Sequence, residues 1–309
     1  MRKFPQISII TVNYNGLSNT VELLNSIRKF PYPNLEIFVV DNASKENPET
    51  YITIHYPEVK FIRSEKNLGF AGGNNLAVAQ AQGEYLFFIN NDAEVTAGCI
   101  ERLLFMFDKR PKLGVVSPML CYYNESDKEK GDLIQYAGMT AVNPITARNK
   151  IIGEKIRDRG QFILPSPTPY AHGAAMMVKR EVIDIVGTMY DSFFLYYEEL
   201  DWCERIRKAG YEIYIEPNAR VYHKESASVG EASTLKTYYL NRNRILFMRR
   251  NFSNRHLIAF SAFMAFATIP KNIYSFFVTG RFKHIAVFIK AVRWNMRDVR
   301  GKSTENLEL

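Results

Sequence analysis

The apolar run Tyr-Leu-Phe-Phe-Ile (85–89) passes directly into Asn-Asn-Asp (90–92), and this junction constrains the fold more than any other short segment. A strand that is apolar on both faces is typical of a parallel sheet covered by helices. In open α/β sheets the carboxyl ends of such strands hold ligands. Asp92 is therefore a candidate for holding a divalent cation against a phosphorylated ligand. A polar turn without function is the alternative, because Asn and Asp are common turn formers.

Segments of the same kind alternate with helical patterns over about the first 90 residues, which predicts a parallel sheet with helices on its faces. Residues 121–166 are rich in charge and turn formers and predict a loop or a short ribbon. The predicted strands are 7–13, 35–40, 59–63, 85–89, 213–215 and 220–222, and the predicted helices are 20–29, a stretch ending at 81, 179–186 and 198–209.

The composition is that of a soluble globular protein, with 309 residues, 47% hydrophobic and 23% charged. The three cysteines, Cys99, Cys121 and Cys203, are widely spaced and form no CxxC pair. This spacing argues against a disulfide framework or a zinc site and favours a reducing compartment. The N-terminus leads directly into the first strand-like segment, so we expect no signal peptide.

Positive charge is concentrated towards the C-terminus. Residues 236–302 contain 14 Lys or Arg and one acidic residue, whereas the rest of the chain contains 26 basic and 31 acidic residues. An acidic body with a basic extension argues against a nucleic-acid-binding protein, and the basic stretch has no recognisable reading motif. We therefore predict two parts, residues 1–234 and a C-terminal helical region, residues 235–309.

The C-terminal region is also apolar in texture. Residues 257–269 are nearly all apolar, and Pro270-Lys271 is expected to interrupt the run. Thirteen residues are too few to span a bilayer, which needs roughly 20 helical residues. A later stretch, 285–294, mixes aliphatic and aromatic residues with Lys and Arg. This pattern favours helices that lie on an anionic membrane surface, and a helical subdomain packed on the core is the alternative.

Polar side chains also close two other predicted strands. Thr11, Asn13 and Asn15 end the first strand, and Asp41 ends the second. Because the carboxyl ends of parallel strands meet at one edge of the sheet, we expect these side chains to reach the same crevice as residues 90–92. Asp41 also fits a helix N-cap sequence, which needs no ligand. No GxGxxG follows the first strand, which disfavours a dinucleotide-dependent oxidoreductase.

A second acidic cluster, Glu198, Glu199 and Asp201, follows the aromatic sequence 193–197. A carboxyl group in an aromatic pocket wall tends towards a raised pKa and can serve as a general base. Carboxylates are also favourable in the first turn of a helix, and Asp201 is spaced to pair with Arg205. A purely structural role is therefore the alternative.

Two histidines lie in contexts that suit a site. His172 is followed by Gly173 and two alanines, a sequence that lets a ligand approach the backbone. His223 follows a predicted strand and becomes a candidate metal ligand only if the fold brings it near Asp92. A lone histidine is more often a structural hydrogen-bonding residue.

Taken in order, these segments resemble glycosyltransferase family 2, an inverting family with the GT-A fold, and within it the rhamnosyltransferase-like members. Each piece is short, but the ordered set spans about 215 residues and is specific. The matching pieces are Ile-Thr-Val-Asn-Tyr-Asn (10–15), Val-Val-Asp-Asn-Ala-Ser (39–44), Asn-Leu-Gly-Phe-Ala-Gly-Gly-Asn-Asn (67–75), Phe-Ile-Asn-Asn-Asp-Ala-Glu-Val (88–95), His-Gly-Ala-Ala-Met-Met (172–177), Phe-Phe-Leu-Tyr-Tyr-Glu-Glu-Leu-Asp (193–201) and Val-Tyr-His (221–223).

The resemblance implies a role for each matching residue. Asp92, in the family's DxD element, and His223 would bind Mn²⁺ or Mg²⁺. Glu199 stands where the family has a catalytic Asp, so that Glu198 and Asp201 stay open as alternatives. Thr11, Asn13 and Asp41 would line the base and ribose pocket, and Arg242 and Arg244 resemble an element near the diphosphate. The residues implied in donor binding are Thr11, Asn13, Asn15, Asp41, Asn67, Gly69, Asn75, Asn90, Asn91, His172, Gly173, Arg242 and Arg244.

The implied activity is transfer of a sugar from a nucleotide-sugar donor to a hydroxyl of a saccharide acceptor, with inversion, in cell-surface polysaccharide synthesis. The resemblance favours dTDP-rhamnose as donor, a polyprenyl-diphosphate-linked acceptor, and a cytoplasmic location at the inner face of the membrane. A UDP-hexose-dependent transferase is one alternative. A GT-A domain that binds nucleotide or glycan without catalysis is another, favoured by Asn90 and Glu199. Every version requires residues 92 and 199 to face each other across one gap.

Overall fold

A β-sheet forms the centre of the computed structural model, which describes residues 4–124, 129–224 and 233–297. The strands are β1 (Ile7–Asn13), β2 (Leu35–Asp41), β3 (Val59–Arg63), β4 (Tyr85–Ile89), β5 (Ala93–Val95), β6 (Leu113–Asn124), β7 (Glu129–Tyr136), β8 (Ile156–Arg157), β9 (Ser166–Pro167), β10 (Ala175–Lys179) and β11 (Glu212–His223). The helices are α1 (Leu17–Lys29), α2 (Glu49–His55), α3 (Gly69–Val78), α4 (Cys99–Lys109), α5 (Arg180–Val186), α6 (Glu198–Lys208), α7 (Thr234–Asn251), α8 (Asn254–Phe263), α9 (Ile269–Val278) and α10 (Phe282–Arg297), with a 3₁₀ turn at Asp191–Phe193 and a π-helical turn at Met264–Thr268.

The predicted α/β class with a mostly parallel sheet is confirmed. The strand order is β3-β2-β1-β4-β10-β6-β11-β5, and β10 and β5 run against the other strands of this path. Leu86, Phe87 and Phe88 of β4 are fully buried. Burial on both faces of a central strand explains why its sequence is apolar without alternation.

Several elements differ from the sequence prediction. The strands predicted at 213–215 and 220–222 belong to one strand, β11, with an irregular register between Glu216 and Arg220 opposite Pro118 of β6. Pro118 also makes β6 hard to predict from the sequence, since a proline within an apolar run argues against a strand. β10 and α4 lie outside the predicted set. β10 is rich in Ala and Met, and its position between β4 and β6 decides its conformation.

The predicted ribbon in residues 121–166 is present, because β7 pairs antiparallel with β6. This ribbon lies beside β11, and its residue Gln135 lines the cavity that contains Asp92.

The predicted interruption at Pro270-Lys271 is wrong. α8, the π-helical turn and α9 form one helix, Asn254–Val278, of 25 residues. Pro270 lies in the first turn of α9, and the π-helical turn before it makes room where the proline ring would collide with an earlier carbonyl. With a mean hydropathy of 1.3, this is the one helix among the described residues that could cross a membrane by length and composition.

The C-terminal helical extension is confirmed, and its first helix belongs to the body of the molecule. α7 packs on α6, and Leu246, Phe247 and Met248 are part of the main hydrophobic core. The boundary between residues 1–234 and 235–309 therefore stays a prediction.

Candidate active site

A cavity of about 360 Å³ opens at the carboxyl ends of β1 and β4. Its wall is assembled from distant parts of the chain and contains both Asp92 and Glu199, as the sequence analysis requires. Phe194, Leu195 and Tyr196 form part of the aromatic wall. The predicted site residues that line the cavity are Asn67, Gly69, Asn90, Asn91, Asp92, His172, Gly173, Glu198, Glu199 and His223.

The pairing of β5 with β11 brings His223 to Asp92. His223 lies opposite Ala93 in the antiparallel register, and the Lys224 amide donates to the Asp92 carbonyl oxygen over 3.0 Å. As a result, Asp92 Oδ1 and His223 Nε2 lie 3.1 Å apart. The two side chains are largely buried, so they meet away from bulk water. The fold thus brings His223 close enough to Asp92 for the two side chains to share a metal ion.

The second ring nitrogen of His223 has its own partner. Nδ1 lies 2.8 Å from the amide oxygen of Gln135, which can only accept, so Nδ1 carries a proton. In the neutral ring, Nε2 then presents a lone pair, and the Asn90 amide donates towards it over 3.2 Å. The same lone pair faces the Asp92 carboxylate. Two acceptors at this distance repel unless a proton or a metal cation lies with them.

The Asp92–His223 pair fits a divalent cation. Atoms 3.1 Å apart are spaced like neighbouring ligands of an ion with bonds of about 2.1–2.2 Å. A carboxylate suits Mg²⁺ or Mn²⁺, and the imidazole favours Mn²⁺ between these two. No third His, Cys, Asp or Glu joins the pair within residues 4–124, 129–224 and 233–297. The remaining ligands of such an ion would have to be substrate or water oxygens.

α6 begins in the cavity wall and carries Glu198 and Glu199 in its first turn. Burial raises the pKa of Glu199 to about 7. Burial, and then repulsion from Glu199, raise the pKa of Glu198 well above its usual range. The Glu198 Oε2 atom accepts no hydrogen bond from any residue that the structure describes. Of the two carboxyl groups, Glu199 is the one whose pKa lies near neutral pH, so it is the candidate to accept a proton.

Asp201 lies outside the cavity, which corrects its inclusion among the candidate bases. Its carboxylate is fully buried and pairs with Arg205 at 3.0 Å and with Arg250 at 2.8 Å. The Asn251 amide donates to it over 2.8 Å. A carboxylate with three protein partners cannot take a proton from a substrate in the cavity. The structural alternative, pairing with Arg205, is what the structure shows.

Arg242 and Arg244 also lie outside the cavity wall, which corrects their assignment near a diphosphate. Both are buried, and burial lowers the pKa of each guanidinium group. Arg242 donates to the carbonyl oxygens of Ser192 and Phe193, and Arg244 donates to that of Thr146 over 3.1 Å. Their hydrogen bonds hold the backbone of neighbouring loops.

Thr11, Asn13, Asn15 and Asp41 lie beside the cavity and not in its wall. Asn13 Nδ2 donates to Asp41 Oδ1 over 2.8 Å, and Arg63 Nη1 lies 2.6 Å from Asp41 Oδ2. Asp41 is fully buried in this network. The contacts that the resemblance implies with a base and ribose stay predictions.

Asn67 and Gly69 both accept hydrogen bonds from Asn42, a third cavity-lining residue that the sequence did not single out. The Asn42 amide donates to Asn67 Oδ1 over 2.9 Å and to the Gly69 carbonyl oxygen over 3.0 Å. Gly69 has a φ of +71°, and a Cβ there would lie 2.1 Å from the Phe194 carbonyl oxygen. Only glycine therefore lets these two loops meet. Asn75, from the same motif, lies outside the cavity wall.

Gln135 and Lys236 are site residues that sequence reasoning missed. Gln135 lies in the irregular region and belongs to no motif, so only the position of β7 reveals it. Lys236 stands at the start of the basic stretch, where composition alone signalled positive charge.

His172 lines the cavity as a neutral ring. Burial, and to a smaller extent His223, lower its pKa to about 3. Its Nδ1 accepts from the Ala174 amide over 3.1 Å, so the proton is on Nε2.

The family model of glycosyl transferase family 2 matches residues 8–187, more than half of the chain, and the protein belongs to this family. The matched region includes Asp92 and His172 but ends before Glu198, Glu199 and His223.

Relatives in bacteria and archaea carry related names. The chain is 27% identical to the low-salt glycan biosynthesis hexosyltransferase Agl10 of Haloferax volcanii, covering 67% of this chain and 63% of Agl10. It is 25% identical to N-acetylglucosaminyl-diphospho-decaprenol L-rhamnosyltransferase of Mycobacterium tuberculosis, covering 72% and 78%. It is 26% identical to dTDP-rhamnosyl transferase RfbF of Shigella flexneri, covering 79% and 80%. The chain spans only 28% of another relative, the uncharacterized protein y4gI of Sinorhizobium fredii.

Solved structures with the same fold confirm the predicted GT-A class. GalNAc-T7, solved with UDP, GalNAc and Mn²⁺, superimposes with a TM-score of 0.64 at 18% identity, covering 79% of this chain and 48% of that one. The mannosyltransferase PcManGT of Pyrobaculum calidifontis, in complex with GDP-Man and Mn²⁺, gives a TM-score of 0.57 at 17% identity, covering 96% and 76%.

Proposed function

We propose that the protein is an inverting glycosyltransferase that moves a sugar, with L-rhamnose from dTDP-rhamnose favoured, to a hydroxyl of a saccharide acceptor. One observation carries the proposal: the Asp92–His223 pair and the Glu199 carboxyl group line the same cavity. A cation site and a proton acceptor around one space are the two parts that this transfer needs. Membership of family 2 supports a nucleotide-sugar donor.

On the donor side, Asp92 and His223 would hold Mn²⁺ or Mg²⁺, with Gln135 fixing the imidazole orientation. When bound, the ion supplies positive charge that offsets the negative charge developing on the departing diphosphate. Lys236 in the same wall places a further positive charge near that group.

On the acceptor side, Glu199 takes the proton from the attacking hydroxyl. The hydroxyl oxygen forms a bond to the anomeric carbon while the bond from that carbon to the diphosphate oxygen breaks, and the diphosphate leaves with the electron pair. Attack from the side opposite the leaving group inverts the anomeric configuration. A pKa of about 7 suits Glu199 for this task, because a base works best when its pKa lies near the operating pH.

The names of the relatives bear on the donor. Two of them, from Mycobacterium tuberculosis and Shigella flexneri, are named for rhamnosyl transfer, and the latter for dTDP-rhamnose. The name of Agl10, a hexosyltransferase, supports transfer of a hexose, as the alternative of a UDP-hexose donor requires. At about 360 Å³, the cavity is of a size for one small ligand or sugar.

The C-terminal helices support an acceptor held at a membrane, such as a polyprenyl-diphosphate-linked saccharide. Along Asn254–Val278, Phe260 and Met264 are buried against the body, whereas Phe266 and Tyr274 are 86% and 71% exposed. A helix with one side packed on protein and the other side apolar and exposed suits a position along a membrane surface. We therefore place residues 235–309 at the inner face of the cytoplasmic membrane, with residues 1–234 in the cytoplasm.

The experiment that tests the activity is a transfer assay with the purified full chain. dTDP-rhamnose, UDP-hexoses and GDP-mannose are each supplied with Mn²⁺, Mg²⁺ or EDTA, and thermal shift and release of free nucleotide diphosphate are measured. We expect dTDP-rhamnose with Mn²⁺ to give the largest shift and slow metal-dependent release. Binding without any release from any donor, with a lipid-linked saccharide present, would favour the non-catalytic alternative.

Membrane contact is tested by flotation with vesicles. We expect the full chain to float with anionic phosphatidylglycerol vesicles and to be released by high salt, because the helices combine apolar and basic residues. The double change Phe266→Ser and Tyr274→Ser should reduce flotation. Ile54→Ser, an equally exposed apolar site on α2, serves as the matched control. Equal flotation of all three proteins would overturn the proposed membrane face.

A further inference from the structure

The loop directly before the two glutamates has an unusual backbone. Phe194, Tyr196 and Tyr197 have φ values of +63°, +69° and +75°, and these are three of the seven non-glycine residues with positive φ in the described part of the chain. Phe194, with ψ −57°, is the centre of a γ-turn in which the Leu195 amide donates to the Phe193 carbonyl oxygen. Such conformations persist only where the surroundings hold them, and they cluster at functional sites.

Two side chains of α7 hold this loop. Asn243 donates through its amide to the carbonyl oxygens of Phe193, Leu195 and Tyr196 at 2.7–2.8 Å. Arg242 donates to the carbonyl oxygens of Ser192 and Phe193. The carbonyl groups of Ser192, Phe193, Leu195 and Tyr196 thus accept hydrogen bonds from side chains of α7.

The two side chains are themselves fixed. Both are fully buried, and Arg242 Nε donates to Asn243 Oδ1 over 2.8 Å. The Arg242 guanidinium lies 4.6 Å from the Tyr239 ring centroid and 4.7 Å from that of Trp294. The Asn295 amide of α10 donates to the Arg242 carbonyl oxygen over 2.9 Å. This pair therefore has few alternative orientations.

The held loop is part of the cavity. Phe194, Leu195 and Tyr196 line it. Tyr197 is the N-cap residue of α6, so the conformation of the loop sets the direction in which Glu198 and Glu199 point. On the opposite side, the Phe70 amide donates to the Phe194 carbonyl oxygen over 2.6 Å. Moving the loop would move both the wall and the carboxyl groups.

We infer that Arg242 and Asn243 are positioning residues that hold the 194–197 loop in its strained form and thereby keep Glu199 aimed into the cavity. The inference rests on the proposed role of Glu199 as the base. It gives Arg242 a function different from the contact with a diphosphate that the sequence suggested. A diphosphate contact would change donor binding, whereas positioning of the base changes the turnover of bound donor.

The test compares Asn243→Ala with Asn241→Ala in the full chain. Asn241 lies on the same helix, and among the described residues its amide donates within α7 alone, to the Thr237 carbonyl oxygen over 2.7 Å. For Asn243→Ala we expect kcat to fall about 10²-fold, the effect of misplacing a catalytic group by about 1 Å. The donor Kd should rise by a much smaller factor than kcat falls, since Asn243 itself does not line the cavity. Asn241→Ala should match wild type in both.

A second readout is the pH dependence of kcat. The titratable neighbours on which Glu199 acts are Glu198, Tyr197 and Cys203, and burial raises the pKa of each, to about 12 for Tyr197 and Cys203. We expect Glu199, with its pKa of about 7, to set the decrease of kcat at acidic pH in wild type. In Asn243→Ala a loosened loop admits water, and we expect the midpoint of this decrease to move below about 7, towards the ordinary value for Glu.

Arg242→Lys keeps the inference testable if Asn243→Ala does not fold, because lysine retains the positive charge and one hydrogen-bonding nitrogen. It should lower kcat less than Asn243→Ala does, and it should also move the acidic midpoint of the kcat–pH profile to lower pH. A raised donor Kd with unchanged kcat in either variant would overturn the inference, and so would an unchanged kcat together with an unchanged acidic midpoint.

Hydrogen–deuterium exchange of peptides that cover residues 194–199 separates this inference from the proposed activity. Faster exchange there in Asn243→Ala, but not in Asn241→Ala, supports the loop-holding role even if wild type turns over no donor. In that case the proposed function fails and the structural link stands. Equal exchange in both variants would overturn the link directly.

Discussion

Two polar clusters stand at the carboxyl ends of neighbouring strands, and they differ in whether their polar atoms are already bonded. At the ends of β1 and β2, Asp41 has Asn13 and Arg63 as partners and is fully buried. After β4, Asp92 Oδ1 faces the Nε2 lone pair of His223 instead. In the first cluster the Asp41 carboxylate is satisfied within the protein, whereas the Asp92–His223 pair of the second fits a divalent cation.

The same contrast separates the carboxyl groups of α6. Asp201 has three partners, whereas Glu198 Oε2 has none within the described residues and Glu199 faces the cavity. Buried polar atoms are normally satisfied, and Glu198 Oε2 is an exception that lies in the cavity wall. Residue type and position near a strand end do not separate the two kinds of cluster. Their hydrogen bonds do.

The largest effect that would sharpen this comparison is expected for Glu199→Gln. Removing a general base lowers turnover by about 10²–10⁴-fold, while the donor Kd should be nearly unchanged because the amide keeps the shape of the side chain. Single-turnover transfer and donor titration measure the two quantities. Glu198→Gln is the matched variant and should lose less than about tenfold, since burial and Glu199 raise the pKa of Glu198 and glutamine keeps the shape of the protonated side chain. The reverse order would make Glu198 the base.

Asp92→Ala should come next. The variant leaves His223 without its carboxylate partner, and a bound cation contributes several kcal/mol, so we expect kcat/KM with Mn²⁺ to fall about 100-fold or more. Calorimetric titration of donor with and without Mn²⁺ should show that the metal no longer strengthens binding. Asp132→Ala, at an exposed ion pair with Arg157, is the control and should keep the metal effect. Retained metal dependence in Asp92→Ala would place the cation elsewhere.

The pH dependence of turnover should show a smaller effect. Glu199 acts in its ionised form, so kcat should decrease as the pH falls through the pKa of about 7, by about tenfold per pH unit well below it. The rate with saturating donor, measured between pH 5 and 9 in buffers of constant ionic strength, checks this. A flat profile down to pH 5 would show that no group with this pKa takes the proton.

Asp41→Asn should affect activity least and stability more. Its carboxylate accepts from Asn13 and Arg63 inside the protein, and weakening these bonds should lower the free energy of unfolding by about 1–3 kcal/mol. Urea denaturation measures this loss, and donor titration tests the predicted contact of Asp41 with the base and ribose. Asp158→Asn, which removes an acidic partner of Arg220, is the comparison. A donor Kd raised tenfold without loss of stability would mean that Asp41 contacts the base.

Much of the parallel half of the fold was predictable, because β1, β2 and β4 are short, mostly apolar runs and are buried along most of their length, whereas β3 is only partly buried. β10 was not, since Ala and Met carry little strand preference and its neighbours β4 and β6 impose its conformation. The continuous helix through Pro270 was missed for a related reason. A π-helical turn that absorbs a proline is a local solution that periodicity cannot show.

The candidate site was predictable as far as motifs reach. Asp92, His223 and Glu199 belong to recognisable segments and do line one cavity. Gln135 belongs to none, and Asn243 stands between Arg242 and Arg244 in their element without being singled out, yet Gln135 sets the tautomer of His223 and Asn243 holds the loop before Glu199. Supporting residues act through distance and direction, which the order of residues along the chain does not record.

The amino-acid sequence alone determined the family, the sheet that begins the chain, and the acidic and histidine side chains available for chemistry. Tertiary structure decided which of these act, because β5 pairing with β11 joins residues more than 100 positions apart and α7 reaches back to residues 192–196. A carboxyl group becomes a base, a ligand or half of an ion pair according to what lies within about 3 Å of it. That neighbourhood exists only once the chain has folded.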